Sequence, residues 1–104
     1  MKGFRTVYVT AKSRAEARKL ATLMLDMRLA ACANIFPIES IYWWKGKMEN
    51  SREVALIFKT TAVRVRRLVR ELRKAHSYAV PCIVTWPIQE GNSDYLKWIS
   101  DETR

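Results

Sequence analysis

The 104-residue chain carries one histidine, His76, and two cysteines, Cys32 and Cys82. Imidazole and thiolate are the side chains best suited to hold a transition metal or move a proton near neutral pH, so this short inventory bounds the chemistry. The cysteines form no C-x-x-C pair, and a single bridge would be a thin framework, so both are read as reduced thiols. Each sits in an apolar, strand-like context where a thiol behaves as a small buried hydrophobe. His76 follows a helical segment, where the macrodipole alone accounts for a cation. There is no Ser or Cys nucleophile in a recognisable motif, no Gly-rich phosphate loop and no close pair of carboxylates in an apolar setting. The familiar catalytic constellations are therefore missing, and a protein without enzymatic activity is expected.

Charge is the next chemical feature, because the formal net charge is +9. Much of it lies in "VRVRRLVRELRKAH", where Arg64, Arg66, Arg67, Arg70, Arg73 and Lys74 face a single acid, Glu71. Such a stripe could dock on phosphates through counterion release, or it could be the solvated outer face of an amphipathic helix. The solvated face is the preferred reading. Nucleic-acid binding through a basic helix over 62–76 is the alternative, and nucleic acid is not expected as a partner. Lys59, the one charge in an apolar strand, either lines a cleft or closes the strand's end.

These groups must be positioned by regular elements. "FRTVYVTA" alternates apolar and polar residues and predicts a first strand. Ser13 and Glu16 have capping-box spacing at the start of a helix, in which Ala17, Leu20, Ala21, Met24 and Met27 form the buried stripe. Cys32 to Trp44 predicts a second strand interrupted by Pro37, with a reversal marked by Gly46, Glu49, Asn50 and Ser51. "EVALIFKTT" predicts a third strand, and the basic segment a helix ending near Ser77 with Val65, Leu68, Val69 and Leu72 inward. "CIVTWPI" predicts a fourth strand, and "SDYLKWISDE" a final helix with Ser93 as N-cap.

The order βαββαβ plus a C-terminal helix is that of the α+β ferredoxin-like fold, a single domain over 1–104 with an antiparallel sheet and both main helices on one face. The other sheet face would be bare. Yet Val54, Leu56 and Phe58 on one parity and Ala55 and Ile57 on the other make the third strand apolar on both faces. Tyr42 and Trp44 share one face of "SIYWWKGK", and Ile41 and Trp43 share the other. A strand over 32–44 would run about 40 Å at roughly 3.3 Å per residue, against a radius of gyration of about 13 Å for such a domain. It must bend at Pro37 or reach beyond its own domain. An apolar bare face and a projecting arm together imply a homo-oligomer with Trp43 and Trp44 as interface anchors. A membrane partner is not expected, since the apolar runs fall short of the ~20 residues that a span needs. The N-terminus has no apolar h-region, so the cytoplasm is the expected location.

The segments "RLAACANI", "SIYWWKGK", "EVALIFKTT" and "YLKWI", in this order and spacing, resemble the CutA family of divalent-cation tolerance proteins over nearly the whole chain. The resemblance implies a compact cytoplasmic homotrimer, with Tyr42, Trp43 and Trp44 at its interface and clefts between subunits similar to those of PII-type proteins. It also implies a role in tolerance or homeostasis of copper and other divalent metals, with no established reaction and no obligatory cofactor. The family's "HPYE.PE" segment corresponds to "HSYAVPC", so His76, Tyr78 and Pro81 match, whereas Ser77, Ala79 and Cys82 depart from it. Some members have a cysteine where this chain has Val9. The expected metal ligands for Cu(II) or another divalent ion are then His76 and, as a soft donor in place of a carboxylate, Cys82. Lys59 and Tyr78 are the expected cleft residues.

Overall fold

The computed structural model describes residues 3–104. Strand β1 (Phe4–Ala11) leads into helix α1 (Arg14–Asp26), which is followed by the hairpin strands β2 (Cys32–Trp44) and β3 (Lys47–Thr61). A single 3-10 turn over Ala62–Arg64 opens helix α2 (Val65–Ala75), and strand β4 (Ile83–Ile88) and helix α3 (Ser93–Glu102) complete the chain. The sheet order is β2-β3-β1-β4, with every neighbouring pair antiparallel. This is the expected βαββαβ arrangement, with short differences at the element ends.

Helix α1 starts where Ser13 Oγ accepts the Glu16 amide at 3.1 Å. Its reciprocal bond is displaced by one residue, because Glu16 Oε1 accepts from the Lys12 amide at 3.3 Å. The helix stops in a Schellman motif, with the Leu29 amide donating to Met24 and the Arg28 amide to Leu25. Arg28 takes the left-handed conformation there, φ 58°, where glycine is usual, and its guanidinium holds Glu102 Oε1 at 2.7 Å. Met27 is the C-cap and is only half-buried, so the inward stripe ends at Met24. At α3 the N-cap is Asn92, with Ser93 one residue inside.

The core lies between the helices and one sheet face. Val7, Val9 and Ala11 of β1 and Leu56 and Phe58 of β3 meet Ala17, Leu20 and Met24 of α1 and Leu68 and Leu72 of α2, all fully buried. Thr60 continues the β3 parity into the core, where its hydroxyl donates to the Leu29 carbonyl at 2.6 Å. The other sheet face carries Tyr8, Phe36, Ala55, Ile57, Val84 and Trp86, as the strand registers require. Tyr8 and Trp86 confirm the shared face, their ring centroids lying 6.0 Å apart. Helix α3 crosses only one end of this face, where the Tyr95 hydroxyl lies 3.5 Å from Cys32 Sγ.

The hairpin does not bend out of register at Pro37, which pairs with Val54 in an unbroken ladder from Cys32↔Lys59 to Trp44↔Lys47. β2 is an edge strand, where alternate amides face away from the sheet and a proline is tolerated. The reversal is tighter and earlier than expected, at Lys45 and Gly46 with φ of 51° and 79°, so residues 47–52 are strand. Two consecutive positive φ angles give the type I′ geometry that matches strand twist. β1 reaches only Ala11↔Val54, so the hairpin beyond overhangs as an arm and stretches the molecule to 44 × 25 × 22 Å. On this arm Ile41, Trp43 and Met48 are 65%, 70% and 63% exposed.

Phe58 is the largest side chain with no exposure. Phe58→Ala should therefore cost about 3–5 kcal/mol, read as a lower urea midpoint at fixed protein concentration. A loss below about 1 kcal/mol would contradict this core assignment.

Candidate functional site

Where the arm leaves the sheet, its root and the loop between α2 and β4 enclose an open cleft of about 820 Å³. Glu39, Tyr42, Trp44, Arg52 and Glu53 line it from the arm, Thr10 and Lys12 from the end of β1, and Tyr78 and Cys82 from the loop. The fold thus brings together four of the expected site residues: Tyr42, Trp44, Tyr78 and Cys82. Trp43 alternates to the opposite side of the arm, and Lys59 lies toward the other end of β3, hydrogen-bonded to Asn34 beside Cys32.

His76 stands behind the loop rather than in the cleft. It is 8% exposed, and both ring nitrogens are engaged. Nδ1 accepts the Tyr78 amide at 3.1 Å, which leaves the proton on Nε2 to be donated to the Thr10 carbonyl at 2.7 Å. The imidazole therefore clamps the loop to the end of β1 and has no lone pair free for a metal in this arrangement. For His76 to act as the metal ligand expected from the sequence, one of these two bonds would have to open.

The cleft's polar groups are coupled. Tyr78 donates its hydroxyl to Glu53 Oε2 at 2.7 Å. Burial first, and then this bond to a carboxylate, push the phenol well above its ordinary range. Cys82 is pushed up likewise, by burial and then by the charge of Glu53, with a bond to Thr10 opposing. At neutral pH Cys82 is accordingly a thiol, not a reactive thiolate. Burial and then the charges of Cys82 and Glu53 also raise the Tyr8 hydroxyl, on the open face of the same sheet. At the far end Tyr95 is pushed up to about 12, chiefly by its bond with Cys32.

Two roles were missed in the sequence. Glu53 is the carboxylate that faces Cys82 and Tyr78, and its only signal was an acid leading an apolar strand. Glu16 has a second task besides its helix, for its Oε2 accepts the Ser77 amide at 2.9 Å and so anchors the cleft loop. No local pattern connects residues that far apart. Among the described residues, no three His, Cys, Asp or Glu side chains converge as a metal cluster.

The Glu16 carboxyl is pushed up by burial, but the bonds from Ser77 and Lys12 and the nearby His76 outweigh this and hold it below the ordinary value. A carboxylate with a depressed folded value stabilises the protein above its unfolded value of about 4.3, and that stabilisation disappears as pH falls through the folded value. Glu16→Gln should thus lower the urea midpoint at pH 7, with the deficit shrinking toward pH 3. A deficit equal at both pH values would show that the charge is immaterial.

The same chain of elements recurs in known proteins. The family model for "CutA1 divalent ion tolerance protein" matches residues 5–102. The divalent-cation tolerance protein CutA of Archaeoglobus fulgidus is 45% identical over 97 residues, 93% of this chain and 94% of the relative. The chloroplastic protein CutA 1 of Oryza sativa is 40% identical over 94% of this chain, which spans only 56% of that longer protein. Superposed on the structure of the A. fulgidus protein, there called a periplasmic divalent cation tolerance protein, the chain gives a TM-score of 0.95 at 40% identity, covering 97% of itself and 99% of the other. No helix among the described residues is long and apolar enough to cross a membrane. With the motifs, the strand order and these matches in agreement along almost the whole length, the chain belongs to the CutA1 family of divalent-ion tolerance proteins.

Proposed function

We propose that the protein acts without catalysis in divalent-metal tolerance, as a cytoplasmic homotrimer that takes up Cu(II) or a related ion in its clefts. The observation that carries this reading is the meeting of the Cys82 thiol and the Glu53 carboxylate on one cleft beside an uncovered apolar sheet face. A soft sulfur and a hard oxygen suit the borderline divalent ions. One subunit supplies fewer donors than the four of a closed tetrahedral site, so the set is completed by water or by a neighbouring copy. The two cysteines are free and lie toward opposite ends of the sheet, in keeping with a reducing compartment.

Assembly follows from the exposed rings. Val84 and Trp86 on the open face are 48% and 44% exposed, and Trp44 is 44% exposed, a large apolar area for a solitary subunit. Sheet packing over this face, with Tyr42, Trp43 and Trp44 as anchors on the arm, would bury it and enclose the cleft. Light scattering at micromolar concentration is expected to give three times the chain mass, and Trp43→Ser/Trp44→Ser to lower it. A monomeric wild type would refute the proposal.

Metal uptake should depend on Cys82. Outer partners of metal sites alone are worth about 10–100-fold in affinity, so Cys82→Ser should weaken binding by at least that, with a smaller loss for Glu53→Gln. Because the ion must displace the proton of a thiol whose pKa is raised, affinity should increase with pH. Titration calorimetry with Cu(II), and with Zn(II), which cannot oxidise the thiol, tests this. Unchanged affinity in Cys82→Ser excludes the thiol, and a loss confined to His76→Ala would return the ligand role to the imidazole after release of the Tyr78 amide.

A further inference from the structure

The solvent-exposed face of the basic segment is almost purely cationic. Leu68 and Leu72 point α2 into the core, and on the opposite side Arg66, Arg67, Arg70, Arg73 and Lys74 are all exposed. At 100° per residue these cations fall within roughly a third of the helix circumference, over about 12 Å of its length. Ordinary exposed helices mix signs there and gain from oppositely charged i,i+4 pairs; here Arg66–Arg70 and Arg70–Lys74 are like-charged at that spacing, each unfavourable by about 0.2–0.5 kcal/mol. Among the described residues no acid lies within ion-pair distance of Arg66, Arg67, Arg70 or Arg73, and Glu71 reaches only Lys74, at 3.8 Å. The first turn has no acidic residue, so Arg66 and Arg67 also oppose the helix dipole. On the neighbouring helix Arg14, Arg18 and Lys19 are exposed as well, while its one first-turn acid, Glu16, is committed to Ser77. Self-repulsion held on a rigid, buried-side scaffold is relieved by an external polyanion.

We propose that the outer face of α2, flanked by the basic residues of α1, is a docking surface for the phosphate backbone of duplex nucleic acid, read without regard to sequence. Guanidinium groups make bidentate contacts to phosphate oxygens, and four of the five α2 cations are arginines. The apolar stripe of α2 is spent in the core, so no side chain of that stripe is free to enter a bilayer, as an interfacial helix requires. Neither α1 nor α2 carries an aromatic residue for base stacking, which disfavours single strands. Nor does α2 carry Asn or Gln to read adenine edges. The surface lies on the helix side of the sheet, away from the cleft and the open face, and is independent of metal uptake.

Fluorescence anisotropy with a labelled 20-base-pair duplex of mixed sequence tests the assignment between 50 and 200 mM salt. Wild type should bind in the non-specific range, with Kd of about 10⁻⁴ to 10⁻⁶ M near physiological salt. Arg66→Gln/Arg70→Gln/Arg73→Gln should bind at least ten-fold more weakly at 50 mM salt, and its log Kd should vary less steeply with log salt, by about 2 to 3. Lys45→Gln/Lys47→Gln/Arg104→Gln removes the same charge elsewhere and should leave both quantities close to wild type. Circular dichroism and light scattering confirm that both variants keep the fold and assembly. Equal weakening by the two variants would reduce the effect to net charge and overturn the proposal. Tighter binding to the single strand, or equal binding to vesicles containing phosphatidylserine, would overturn it in favour of those partners.

Discussion

Everything distinctive in this molecule depends on the register of one hairpin. Thirteen consecutive pairs join β2 to β3 without a bulge. A slip by one residue would turn Leu56 and Phe58 out of the core and bring Ile57 and Lys59 in. Two independent constraints pin it. At one end Lys45 and Gly46 form a two-residue turn that allows a single alignment. At the other end the Thr60 hydroxyl, fully buried, finds its acceptor at Leu29 only when even-numbered β3 residues face the helices. The cleft inherits this alignment, because Glu53 and Tyr42 face the loop for the same reason that Phe58 faces the helices.

The sequence made the layers legible because burial leaves a periodic trace. Apolar residues at helical spacing in α1 and α2, and on both parities of β3, identified the fold and the uncovered face. The Ser13–Glu16 pair marked a helix start to the residue. The turn was misplaced because Lys45 gives no hint of a positive φ, and the polar residues 49–51 look like a loop when they are strand on an overhanging arm. Met27 followed the helical period but fell beyond a Schellman stop built on an arginine, where glycine is the usual signal.

The cleft was legible only in part of its lining. Tyr78 and Cys82 could be placed by resemblance to a family motif, but the roles depend on partners remote in sequence. His76 is a loop clamp because the Thr10 carbonyl and the Tyr78 amide occupy its two nitrogens. Glu16 joins that clamp from the other side, through Ser77. Contacts across 61 and 66 residues leave no pattern that a local reading can find. The same separation of tasks governs charge: the helix face is cationic and the open sheet face apolar, so the two surfaces present different chemistry.

The hairpin also divides the molecule in time. Its two-residue turn closes the shortest possible loop, and such units form in about 1–10 μs. The β1–β4 ladder, by contrast, joins Phe4 to Ile88, nearly opposite ends of the chain, and must wait for that long loop to close. During the interval β1's outer edge is unpaired, while Ile41, Trp43 and Met48 are already displayed on the hairpin. A nascent chain leaving the ribosome would expose this pair of strands before β4 has been made, so the arm that projects from the finished molecule is also on display before the sheet is complete.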